Sequence, residues 1–149
     1  MALLNVRQTA LSTLIALLST AVLMLAVTSG GDVQAQSQIV LDKQTYRQIA
    51  EGLFARERVS PKLADGVVFR VWDLHLGPGV RSSGIRFPGG AVIELRQGSG
   101  TIVLSNDREI RQEPGDFVSI DEREDVVFDN SKSDRPMLMR ATIISLADE

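Results

Sequence analysis

From Gly66 to Ser145 the chain is a succession of short alternating runs closed by turn residues, with no helical period among them. The runs are VVFRVWDLHL, GIRF, AVIELR, TIVL, REIRQ, DFVSI, DVVFDN and MLMRATIIS. Alternation of apolar and polar residues is the pattern of a strand with one face buried, because successive side chains leave the backbone on opposite sides. The punctuation between runs is turn chemistry: Gly77-Pro78-Gly79, Pro88-Gly89-Gly90, Gly98-Ser99-Gly100, Ser105-Asn106-Asp107 and Pro114-Gly115-Asp116. Eight short strands at this spacing predict an all-β antiparallel sandwich or barrel. No internal repeat or second domain interrupts them.

The part ahead of this region reads differently. Between Arg7 and Asp32 lie 24 residues without a charge. A basic start, an apolar run and a Val33-Gln34-Ala35 site predict an export signal over residues 1–35. The rival is an uncleaved anchor crossing a bilayer through residues 8–31, since about 20 apolar residues suffice. Either way the rest of the chain is expected outside the cytoplasm, periplasmic or secreted. Removing residues 1–35 takes away one base (Arg7) and one acid (Asp32), so the net charge stays at −3. That balance argues against nucleic acid as a partner and against polybasic attachment to anionic lipid. There are no cysteines, so disulfides and thiolate metal sites are excluded. In residues 36–62, Tyr46, Ile49, Ala50, Leu53 and Phe54 follow helical spacing, with Asp42 as N-cap and Ser60-Pro61 as the stop. The expectation is an amphipathic helix lying against the barrel of residues 63–149.

Two glycine-bearing spacings carry a resemblance. The first runs through Gly79, Ile85, Phe87, Ala91 and Gly98, and the second through Gly115, Asp121, Arg123, Val126 and Asn130. They resemble the cupin motifs G-x5-H-x-H-x3-E-x6-G and G-x5-P-x-G-x2-H-x3-N. The glycines and the closing asparagine are kept, while the four metal-ligand positions hold Ile85, Phe87, Ala91 and Val126. The resemblance covers about residues 66–145 and implies a cupin-type jelly-roll barrel and a homodimer. A divalent metal needs nitrogen, oxygen or thiolate donors converging on one point. These four side chains offer none, so neither a metal nor another cofactor is expected. If the family geometry holds, Ile85, Phe87, Ala91, Ile93, Val126 and Phe128 line the lumen as an apolar wall. That wall would suit a small apolar or carbohydrate-like ligand.

The only histidine is His75, two residues from Asp73 on the same face of VWDLHL. The pair could serve a metal-independent isomerase or lyase as acid and base. The plainer reading puts Trp72, Leu74 and Leu76 in the core and the polar pair toward solvent. The DERED run, Asp121 to Asp125, reads as a solvated loop, and Met137 with Met139 as core filler. Three functions therefore stand at this level: a binding module, a metal-independent enzyme, and a structural barrel that dimerises through an exposed sheet face.

Overall fold

The computed structural model describes residues 37–63 and 66–146, so the expected signal or anchor of residues 1–35 lies outside the described residues. Every described strand pairs antiparallel with its neighbours. In chain order they are β1 (Gln38–Leu41), β2 (Gln44–Ala50), β3 (Leu53–Val59), β4 (Val67–Leu76), β5 (Ile85–Arg86) and β6 (Gly90–Gln97). Then follow β7 (Gly100–Leu104), β8 (Glu109–Gln112), β9 (Phe117–Ile120), β10 (Asp125–Asp129) and β11 (Met137–Leu146). All eight alternating runs read in the sequence are strands.

The strands form a seven-stranded sheet ordered β1-β2-β3-β4-β11-β6-β9 and a four-stranded sheet ordered β5-β10-β7-β8. One face of each sheet points into a common core. Leu74 and Leu76 of β4, Ile93 and Leu95 of β6, Ile102 of β7 and Phe128 of β10 are almost wholly removed from water there. Burying one such side chain stabilises by roughly 1.5–3 kcal/mol, so this double layer of aliphatic residues supplies the main driving force for closure. Met137 and Met139 fill the seam on β11, as expected of flexible, unbranched side chains.

The helix expected over residues 36–62 is not formed; β1, β2 and β3 occupy that stretch. Its apolar residues follow the helical period, but the turns override it. Asp42 and Lys43 both have positive φ (48° and 64°), the backbone of a two-residue hairpin turn whose twist suits flanking strands. Gly52, with φ 73°, makes the next reversal between Ala50 and Leu53. Tyr46, Gln48 and Ala50 are half-buried along one side of β2, whereas Ile49, counted in the helical stripe, is exposed.

The residues kept from the two motifs do backbone work. Gly79, Gly98 and Gly115 have φ of 70°, 86° and 94°, a region that side chains with a Cβ avoid. At Gly98 an added Cβ would also collide with the Pro136 carbonyl oxygen. Asn130 is buried, and its Nδ2 donates to the carbonyls of Gly77 at 2.8 Å and Arg135 at 2.7 Å. Its backbone N–H donates to Val80 O, and its own carbonyl accepts from Gly79 and Ser133. One residue thus ties the end of β10 to the loop after β4 and to the approach to β11.

Candidate functional site

The sequence points to two places, and the fold sets them on opposite sides of one sheet. The first is the barrel interior. Phe87, Ala91, Ile93, Val126 and Phe128 all belong to the buried core cluster, and Ile85 is half-buried against it. Phe87 meets Phe128 edge-on with ring centroids 6.5 Å apart, and meets Trp72 at 6.2 Å. The structure therefore brings the six expected wall residues together as packed side chains. A cleft of about 320 Å³ lies elsewhere, against the smaller sheet. Thr101, Glu109, Arg111, Asp129 and Lys132 are among its lining residues. Nothing in the sequence reading indicated it, since its walls come from β7, β8, the end of β10 and the following turn.

Burial falls off along the inner face of β4. Leu76 and Leu74 are buried, but Trp72 and Arg70, the next two residues on that face, are half-buried. The Trp72 indole N–H donates to the Glu57 carboxylate at 3.1 Å, and Arg70 Nη1 donates to Ser145 Oγ at 2.7 Å. Val68 is covered again, where the chain around Lys62 bridges to it. This stretch sets one aromatic ring, one carboxylate and one guanidinium beside the apolar core. Sequence reasoning placed Trp72 in the core and passed over Glu57 and Arg70, whose meeting with it depends on strand pairing.

The second place is the outer face, where Asp73 and His75 both lie. Asp73 sits between Arg56 of β3 and Arg140 of β11 in the sheet register. Its Oδ2 accepts from Arg56 at 2.6 Å and Arg58 at 3.1 Å, and its Oδ1 accepts from two nitrogens of Arg140 at 3.1 and 2.9 Å. Partial burial alone would raise the Asp73 carboxyl pKa, but the bonds from the three arginines outweigh it and the net shift is downward. His75 faces Tyr46, ring centroids 6.4 Å apart, and burial pushes its pKa down, favouring the neutral ring. Asp73 thus serves arginines, and both residues face away from the barrel interior. That arrangement gives the acid–base pair no approach to an enclosed substrate.

The positions at which the cupin motifs carry metal ligands do not fit a metal ion. Ile85, Phe87, Ala91 and Val126 have no donor atom, and among the described residues no group of three or more His, Cys, Asp or Glu is placed to hold one.

Comparison with solved structures bears on the architecture. The chain superposes on the cupin domain of an XRE-family transcriptional regulator from Enterobacter cloacae with a TM-score of 0.52 at 16% identity, covering 65% of this chain and 99% of that one. Its fold is the cupin fold. Hazelnut (Corylus avellana) vicilin matches with a TM-score of 0.57 at 17% identity, over 67% of this chain and 30% of vicilin. Ectoine synthase from P. lautus matches at 0.50 and 16% identity, over 65% and 66% of the two chains. A regulator's cupin domain, a vicilin and an ectoine synthase share this scaffold, so the likeness establishes the fold alone. No family model matches the sequence, and no curated protein matches it.

Proposed function

We propose that this chain is an exported cupin-fold protein that holds no metal at the cupin ligand position and binds a small organic molecule at the mouth of its barrel. The observation that carries the reading is the set of Trp72, Arg70 and Glu57 at the one stretch of the β4 inner face that is only half covered. Trp72 supplies a flat apolar surface for a hydrocarbon or a sugar face. Arg70 and Glu57 supply one donor group and one acceptor group that fix its orientation. Below them the floor is Phe87 and Phe128, dry and without donors. The ligand class is an apolar or carbohydrate-like molecule with one polar edge.

Trp72 is the only tryptophan in the chain, so its fluorescence reports on the mouth directly. Titration with a panel of monosaccharides and aromatic acids should give a saturable change for at least one compound, weakened in Glu57→Gln. A panel that leaves Trp72 emission unmoved removes the binding reading. Stoichiometric zinc, iron, manganese or nickel in the purified protein removes the metal-free part. Fractionation of cells making the full chain tests export, with the folded part expected outside the cytoplasm.

A second reading, a structural barrel that dimerises, is favoured by a different observation. On the outer face of the seven-stranded sheet Val92, Ile144 and Leu146 are 43%, 58% and 78% exposed. Val92 and Ile144 lie in adjacent rows, with Thr142 of β11 paired to Val92. An apolar stripe of this kind suits a second copy of the chain. Sedimentation equilibrium tests it, with Ile144→Asp expected to shift the population toward monomer.

A further inference from the structure

The arginine cluster on the outer face carries more positive charge than its partner neutralises. Arg56, Arg58 and Arg140 all donate to the single carboxylate of Asp73, which leaves a local surplus of two positive charges (three guanidinium groups less one carboxylate). The neighbouring Arg96 is paired with Glu94 at 3.2 Å and neither adds to nor offsets that surplus. Both Asp73 oxygens are taken, whereas each guanidinium has five N–H donors and spends only one or two of them here. Arg56 Nε is buried without a hydrogen-bond partner. The guanidinium of Arg56 is also held over the Tyr46 ring, 5.5 Å from its centroid, which limits the directions it can turn. Arg58 is the outermost of the three, with 47% of its side chain exposed, so the cluster is reachable from solvent.

We infer that Arg56, Arg58 and Arg140, oriented by Asp73, form a binding site for a small oxyanion on the outer face of β3, β4 and β11. Asp73 acts as the positioning group. Without it three like charges would splay apart; with it they are drawn to one point with unspent donors at its rim. Guanidinium groups are suited to the task because their planar forks match carboxylate, sulfate and phosphate oxygens. The shared ligand chemistry is two or three oxygens bearing negative charge, from either an inorganic tetrahedral anion or the carboxylate of an organic acid. The site is separate from the barrel mouth and does not rest on the binding reading given for it.

The test is calorimetric titration of the purified full chain with sodium sulfate, sodium phosphate and sodium acetate, each against sodium chloride at matched ionic strength. The arginine Nε–H NMR signals are followed in parallel. The expected result is saturable binding of at least one oxyanion, with a shift of the Arg56 Nε–H signal. Affinity should fall at least tenfold in Arg58→Gln. Arg86→Gln, which removes a pair with Asp125 on the other sheet, should leave binding unchanged. Binding of sulfate and phosphate points to an inorganic anion, and binding of acetate alone to an organic acid; both support the site. A response no greater than that to chloride overturns it. So does oxyanion binding that persists undiminished in a folded Arg58→Gln protein.

Discussion

The two faces of the seven-stranded sheet solve opposite problems with the same strands. On β4, Leu74 and Leu76 are buried in the barrel core, while Asp73 and His75, interleaved with them, are on the other side. On β11, Met139 and Ala141 point in and Arg140 points out. The inner face is held by non-directional burial and tolerates any apolar group of the right volume. The outer face, at its charged end, is held by directional bonds to one carboxylate. The comparison shows how apolar side chains can fill the lumen while the turns fix the shape. The lumen needs only volume from Ile85, Phe87, Ala91 and Val126, whereas the turns need particular backbone angles.

Substitutions that target one face at a time would break this contrast or sharpen it. The largest effect is expected inside: Phe128→Ala removes a fully buried ring and should cost about 3–5 kcal/mol in urea unfolding. A loss below about 1 kcal/mol would mean that the interior is not the tightly packed core described above. Asp73→Ala comes next. It leaves three arginines facing one another, and about 2 kcal/mol is expected, below the value for a fully buried pair because Arg58 is half exposed.

Acid should act on the same residue. The Asp73 pKa is lowered in the folded chain, so its contribution is complete above the ordinary carboxylate value near pH 4 and is lost as the pH falls through the lower folded value. Stability of the parent should therefore drop on acidification below about pH 4 more than that of Asp73→Asn, measured by urea midpoints across that range. Equal slopes would show that the arginines do not perturb Asp73.

Asn130→Ala should cost about 1–2 kcal/mol, because the carbonyls of Gly77 and Arg135 both lose a donor. The smallest change in monomer stability, within about 0.5 kcal/mol, is expected for Ile144→Ser, since that side chain is 58% exposed. A large loss there, read at protein concentrations low enough to prevent association, would mean that the outer face is covered within the monomer.

The strands from β4 to β11 were legible because each is an alternating run bounded by glycine, proline, asparagine or aspartate, and both signals are local. The stretch with β1 to β3 was not. Its first turn is Asp42-Lys43, which lacks the glycine that usually marks such a hairpin, and its apolar spacing follows the helical period. The lumen residues were named from the motif spacing and do pack together. The mouth and the arginine cluster were invisible, because Arg56, Asp73 and Arg140 are 17 and 67 residues apart and nothing in their local sequence links them.

By itself, then, the sequence determined the all-β class and most strand positions. These depend on residue type and short-range spacing, which a linear chain states outright. Only the tertiary structure decided that the N-terminal segment joins the sheet, that Trp72 meets Glu57, and that three arginines converge on Asp73. Those outcomes depend on register between strands distant in the chain. Register is selected by the combined burial and hydrogen bonding of whole strands, because a slip of one residue would turn every side chain to the wrong face.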